Sequence, residues 1–460
     1  MKTVRYIIVV FALLVSVSTL KAQETFLLKN LYIPQALDEN PGTYTPYKFH
    51  VGFPALSRIQ VGVNMPTNLY NYYHITAKGW KRNTKGNNII DLNFKEELIN
   101  FGFRFGGSNY LWFNTSLNVD AGLNIKGGLF DFVINGNADR EGKTQQFLDR
   151  SAVNGNAYLE FAIGYNREIN SQLSVGGKVK YLFGLAHVHT QKAYAALTSQ
   201  ADFDQLLLNY YADVYYGGIV PMDTVDDFGN MSFRQMYEAM AFRSQGLAFD
   251  LGFRYRINKW VEVEASVLDL GFIHWDNAKS MRIEPTEVVF EGADLTTAEK
   301  REDWTHVFEV MADTMKESVK NANPVDIPSY NKMLTTKLNI GAYVWLSKND
   351  RFGFTFNARM YGGLFVPAGS ISYHRNLGKY FDFTVGNTFR LKSALNPGLG
   401  FSLKLGAFNL YTMVDYVNNV YVDKLKNVNV VFGINFVGGR FNHIRGKRIS
   451  DTAPSYYLNF

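Results

Sequence analysis

The sequence predicts an all-β protein: a transmembrane antiparallel up-and-down β-barrel of about fourteen strands, with twelve to sixteen allowed and one helix in a long loop. Three observations predict it. Apolar and polar residues alternate along segments of roughly nine or more residues, the length of a tilted spanning strand. The N-terminus reads as an export signal. The composition is 15% aromatic and 47% hydrophobic, yet mean hydropathy is −0.14, so the apolar residues are interleaved with polar ones.

Residues 1–22 carry the signal. Lys2 and Arg5 are basic, Ile7 to Val17 is almost continuously apolar, and cleavage is placed after Ala22. Leu20, three residues before Gln23, departs from the small-x-small pattern. The apolar stretch is shorter than the ~20 residues of a spanning helix, so an N-terminal anchor helix is the weaker reading. Export in a Gram-negative cell leads to the outer membrane, which accepts closed barrels because hydrocarbon tolerates no unpaired backbone groups.

Residues 23–57 hold Pro34, Pro41, Pro46 and Pro54 without sustained alternation. They are expected as a plug inside the barrel or as a periplasmic segment. Residues 58–439 are the expected barrel. In Gln245–Ile257, Leu247, Phe249, Leu251, Phe253, Tyr255 and Ile257 share one face, against Ala248, Asp250, Gly252, Arg254 and Arg256. Segments 111–123, 352–361, 381–391 and 427–436 repeat the split, and looser versions include ones near Phe203 and Met281. A soluble β-sandwich also alternates, but its strands usually have about five or six residues.

Two segments are expected outside the wall. Pro221–Arg243 reads as an extracellular loop. In the insertion 296–321, Trp304, Phe308, Met311, Met315 and Val319 recur at helical spacing, with Thr297 as cap and Lys300 where a capping box would hold Glu or Gln. Its apolar stripe is expected on its own barrel. Residues 440–460 form a basic tail with Arg440, His443, Arg445, Lys447 and Arg448, either solvated or touching phosphorylated lipid headgroups. Phe460 resembles the terminal aromatic of a barrel assembly signal, although Pro454 lies close before it.

A Lys or Arg facing lipid at the midplane costs ~2–4 kcal/mol, which assigns the charged face to the lumen. The lumen-lining residues expected are Arg104, Asp120, Lys178, Lys180, Asp250, Arg254, Arg256, Glu262, Glu264, Arg359, Asp382 and Arg390, joined by Glu160, Glu168, Lys337, Lys404 and Asp415. The signs nearly balance, which predicts internal salt bridges and no strong charge selectivity. Glu262 and Glu264 are expected to pair with Arg254 and Arg256. The same face holds Gly102, Gly106, Gly122, Gly164, Gly176, Gly252, Gly341, Gly353, Gly386 and Gly433. Either something packs against this wall, a plug or a ligand, or the glycines relieve curvature. Tyrosine groups at 70–73, 210–216 and 456–457 suit interfacial girdles.

Little in the sequence points to catalysis. There is no cysteine. His187 and His189 share a strand face, but no third metal ligand is evident, and two polar rim residues are the bland alternative. The remaining histidines are isolated, and no G-x-S-x-G elbow or phosphate-binding glycine loop appears. The glycine pairs 106–107, 127–128 and 176–177 read as turn or strand positions. No enzyme activity, cofactor or metal is expected, and scattered basic residues leave no nucleic-acid footprint.

The stretches Pro54-Ala55-Leu56-Ser57, Leu247-Ala248-Phe249-Asp250-Leu251-Gly252 with Ser266 to Trp275, and Asn376-Leu377-Gly378-Lys379-Tyr380-Phe381 resemble an uncharacterised outer-membrane family of the Bacteroidota, a domain of unknown function. That family is distantly similar to long-chain fatty-acid transporter and PorV-type barrels. The resemblance implies fourteen strands, allows an N-terminal plug and carries no functional residues. The expected function is a passive channel or transporter for a small solute, a hydrophobic one included. The alternative is a structural or docking barrel with a protein partner at its loops.

Overall fold

The structure, a computed structural model, describes residues 32–65, 85–135, 142–200, 205–218, 243–276, 278–291, 310, 313–314, 316–347, 349–361, 363–378, 380–389, 395–415 and 427–440. The signal segment, the Tyr70 and Tyr456 groups, Arg390, most of the helical insertion 296–321, nearly all of loop 221–243 and the tail beyond 440 lie outside these residues.

The wall is a closed antiparallel barrel of 14 strands. Its first position is filled in tandem by β1 (Tyr47–Gly52) and β2 (Ile59–Asn64). Both pair with β3 (Asn87–Phe105) on one side and with β20 (Asn427–Arg440) on the other. From β3 the ring runs through β4 (Asn109–Lys126), β6 (Val153–Glu168), β7 (Leu173–Ser199), β9 (Gln245–Arg256) and β10 (Val261–Trp275). The next position is again a tandem, β13 (Tyr330–Met333) and β14 (Lys337–Trp345). Then follow β15 (Asp350–Tyr361), β16 (Leu364–Leu377), β17 (Phe381–Phe389), β18 (Pro397–Leu405) and β19 (Phe408–Asp415), which returns to β20.

Tight turns close one end of the barrel. Gly106 and Gly107 turn β3 into β4 with φ of 56° and 76°, a left-handed conformation that glycine adopts without a Cβ clash. The start of β1 and the end of β20 meet at this end, where Tyr47 pairs Arg440. In bacterial barrels the short turns lie on the periplasmic side and the longer connections face outward.

The alternation has its expected consequence. On β9, Leu247, Phe249, Leu251, Phe253 and Tyr255 are 38–60% exposed, while Ala248, Asp250, Arg254 and Arg256 are at most 9% exposed. In a one-layer closed sheet the covered face is the inside. A band of Phe, Leu, Ile and Val surrounds the exterior, including Phe101, Phe103, Ile163, Val179, Ile340, Phe401 and Phe432. This is the surface of an outer-membrane β-barrel.

Among the described residues, four strands lie outside the ring. β7 continues past the wall and there pairs β8 (Gln205–Gly218) instead of β9, and β8 pairs β11 (Lys279–Glu291). β5 (Thr144–Leu148) adds to the far end of β7, and β12 (Val325–Asp326) to the start of β11. The segments near Phe203 and Met281 therefore belong to an outer sheet and not to the wall. Tyr210 and Tyr216, expected in a lipid girdle, are buried there; Tyr210 packs with Phe132, Phe147, Leu197, Leu206 and Leu208.

The local helices also depart from the sequence reading. α1 (Ala36–Glu39) is a single turn, and α2 (Gly127–Asn135) begins at the Gly127-Gly128 pair that read as turn or strand. Phe132 of α2 is wholly buried against the outer sheet, so tertiary packing decides this segment. The wall also starts at Tyr47, earlier than the expected boundary at residue 58.

Leu251 lies near the middle of β9, with its side chain in the lipid band. Leu251→Arg is expected to destabilise the barrel by ~2–4 kcal/mol in vesicle-reconstituted urea titrations, while Leu251→Phe leaves the midpoint near wild type.

Candidate functional site

The lumen is occupied by the protein's own chain. Residues 32–46 run inside the ring, and Ile33, Gln35, Ala36, Leu37, Asp38, Asn40, Thr43 and Thr45 are all buried. Pro34 and Pro41 bracket α1, and hydrogen bonds from Ala36 N to Ile33 O (3.0 Å) and Asn40 N to Ala36 O (3.1 Å) hold the turn. Polar side chains then tie it to the wall. Gln35 Nε2 donates to Asn435 Oδ1 at 2.9 Å, and Asn435 Nδ2 returns a bond to Gln35 Oε1 at 3.0 Å. Asn166 Nδ2 reaches Pro41 O at 2.7 Å, Ser266 Oγ reaches Glu39 O at 2.7 Å, and an Arg104 nitrogen reaches Thr45 O at 2.7 Å.

Two glycines make room for this segment. A Cβ on Gly176 would stand 2.0 Å from the Pro41 carbonyl oxygen, and one on Gly252 would stand 2.1 Å from Asn40 Oδ1. Other wall glycines face aromatic rings. Trp112 lies over Gly164, Tyr343 over Gly353 and Tyr411 over Gly433, each leaving under 3 Å for a Cβ. Close packing thus explains the glycines at these positions, whereas Gly106, expected on the lumen face, belongs to a turn.

The charged residues form networks. Lys178 bridges Asp38 (2.8 Å) and Glu160 (3.0 Å). Lys180 contacts Asp250 (2.7 Å) and Asp269 (2.5 Å), and Lys337 also reaches Asp269 at 2.9 Å. Arg104 pairs Glu168 at 2.7 Å, Arg359 pairs Asp91 at 2.8 Å, and Asp382 has Lys404 at 3.7 Å. Arg254 pairs Glu262 at 2.5 Å, as expected. Glu264 departs from expectation: it accepts from Tyr343 Oη at 2.6 Å and Asn40 Nδ2 at 3.3 Å. Arg256 donates to the Ser171 carbonyl at 3.1 Å. Burial opposes the charge on Asp38, but Lys178 and then Lys95 outweigh it and hold the carboxyl well below the usual carboxylate range.

Asp38, Glu39, Arg58, Asp91 and Asp269 belong to these networks but were not singled out in the sequence. Arg58 pairs Glu39 at 2.8 Å, fixing the segment to the start of β2. Asp269 sits at a bulge in β10 with φ of 59°, where the outward set changes from Val263, Ala265 and Val267 to Leu270 and Phe272. That change of phase, in Val267-Leu268-Asp269-Leu270, is the signal by which it was legible.

On the long-loop side of α1 lies a small polar cavity of about 90 Å3 that opens to solvent. Asp38, Glu39, Arg58, Lys95, Asp120, Lys180, Asp269, Lys337, Asn339 and Arg359 help line it. Lys95 and Asp120 stand on adjacent strands, and among the described residues neither has an ion-pair partner. No three His, Cys, Asp or Glu converge as a metal site among the described residues.

Fold and lumen together define an outer-membrane β-barrel with its N-terminal segment folded inside. The chain belongs to the family of unknown function DUF5723, whose profile matches residues 41–415. No curated protein matches it. Similar solved structures include the Ralstonia pickettii toluene transporter TbuX (9% identity, 88% of this chain and 94% of that one, TM-score 0.41). Others are the Pseudomonas putida toluene transporter TodX (9%, 87% and 91%, 0.39) and a Pseudomonas aeruginosa FadL homologue (8%, 91% and 99%, 0.40).

Lys178→Met would leave Asp38 and Glu160 buried beside an apolar side chain. A loss of roughly 3–5 kcal/mol is expected in urea unfolding. Lys337→Met, whose side chain is 41% exposed, is expected to cost about 1 kcal/mol or less.

Proposed function

We propose that the protein is a non-catalytic transport barrel for a small polar solute, exported with cleavage after Ala22, and that residues 32–46 are its plug. The observation that carries this reading is the polar cavity beside α1, in which Lys95 and Asp120 face the same space without ion-pair partners. A solute bearing both a carboxylate and an ammonium matches that pair. The hydrophobic solute that the sequence left open finds a charged lining in this cavity, which is why a polar one is favoured.

The plug is tied by side-chain hydrogen bonds and ion pairs, and no strand of the wall runs through it. It can therefore leave the lumen while the ladder of β1, β3 and β20 stays intact. The test is conductance in planar bilayers, together with liposome swelling in amino-acid solutions, for the mature chain and for a chain lacking residues 32–46. The deletion is expected to raise conductance and swelling while the protein keeps its heat-modifiable migration. An intact deleted barrel that conducts no better than the full chain overturns the proposal.

One observation favours the docking alternative. The outer sheet has its own apolar core, built from α2, β5, β8 and the end of β7, and it stands beyond the wall where a partner can reach it. A barrel that remains closed after plug deletion, and that recovers a stoichiometric partner on crosslinking at this sheet, would establish that reading instead.

A further inference from the structure

We propose that His187, His189 and Tyr330 form a site for a divalent late transition metal, of the Cu2+ or Zn2+ class, at the long-loop mouth of the lumen. The site is independent of the transport reading. β7 places the two imidazoles on one face, because residues two apart in a strand point the same way. β13, more than a hundred residues further along the chain, brings the phenol between them. The Tyr330 hydroxyl contacts His187 Nε2 and lies 3.3 Å from His189 Nδ1. Two nitrogen donors and one oxygen thus converge from two strands that do not pair with each other.

The spacing suits a metal. Bonds of about 2.0–2.1 Å meeting at a tetrahedral angle hold their outer atoms roughly 3.4 Å apart, close to the 3.3 Å between Tyr330 and His189; the tighter Tyr330–His187 contact must open to the same separation when the ion enters. The rings are also fixed beforehand. His187 stacks on the buried Trp275 with centroids 4.1 Å apart, and His189 meets Tyr215 edge-on at 5.5 Å. This stretch of β7 lies beyond the spanning part of the wall, where β8 has replaced β9 as its neighbour.

Binding would replace the phenol O–H bond with an oxygen–metal bond and release the proton to solvent. Three protein donors leave a fourth position open to water or a solute. Two nearby charges act in opposite directions: the Lys332 ammonium opposes a cation, and the Asp213 carboxylate favours it. The sequence stopped at two ligands because the third is a tyrosine, remote in the chain and outside the usual ligand set.

The test uses full-length protein in detergent, purified without a polyhistidine tag and titrated with CuCl2 and with ZnCl2 by calorimetry. One saturable site per chain is expected. With Cu2+, a phenolate-to-copper charge-transfer band should appear in the visible spectrum. His189→Ala is expected to weaken binding by more than about tenfold, the lower range for loss of even an outer-shell partner. Tyr330→Phe should remove the band and leave weaker two-histidine binding. Lys332→Met should tighten binding, which a purely structural hydrogen-bond cluster would not show. The proposal is overturned if wild-type protein shows no saturable binding, if His187→Ala/His189→Ala binds as wild type, or if the band survives in Tyr330→Phe.

Discussion

At the seam between the two ends of the chain, the wall position between β3 and β20 is filled by a strand in two pieces. Every backbone donor and acceptor in hydrocarbon must be paired, at a cost of several kcal/mol for each failure. Between β1 and β2 the chain leaves the strand at Pro54 and Ala55, and Ala55 has φ of 58°. The ladder survives the excursion. Phe53 N donates to Ile434 O at 2.9 Å, Ile434 N to Leu56 O at 2.8 Å, Ala55 N to Leu98 O at 3.0 Å, and Glu97 N to Arg58 O at 2.9 Å. Both neighbours thus remain bonded to a chain that is locally not a strand.

The detour also shapes the interior. It places the Ser57 carbonyl where the buried Tyr411 hydroxyl donates to it at 2.8 Å, and it aims Arg58 at Glu39. The internal segment and the wall consequently share their charges: Lys178 serves Asp38 from the segment and Glu160 from the wall. Withdrawing the whole segment would let water reach the wall ions, whereas losing a single partner such as Lys178 leaves its neighbours buried and unpaired. Burial alone would disfavour so many ions; their mutual pairing, with glycines admitting close backbone approach, makes the arrangement tolerable.

The wall was largely legible in the sequence because lipid imposes a period of two that few other environments sustain. Leu247 to Ile257 could be read residue by residue. The outer sheet was not separable from the wall, since β8 and β11 alternate as spanning strands do while their apolar faces meet α2 and each other. Partner choice inside the lumen was only partly legible. Arg254 and Glu262 are neighbours by hairpin register, but Glu264 is taken by Tyr343 and Asn40, which arrive from another strand and from the inner segment. Tyr330 could not be associated with His187 before the chain closed, because nothing local in the sequence links them.

The ring's first and last strands are each other's neighbours, and Gln35 bonds Asn435 across 400 positions of chain. Such a cylinder keeps two open edges until its first and last strands pair. The stretch just ahead of β1 enters the lumen at that same seam. Closure of the wall and occupation of its bore therefore depend on one short stretch of chain, and a change there touches both.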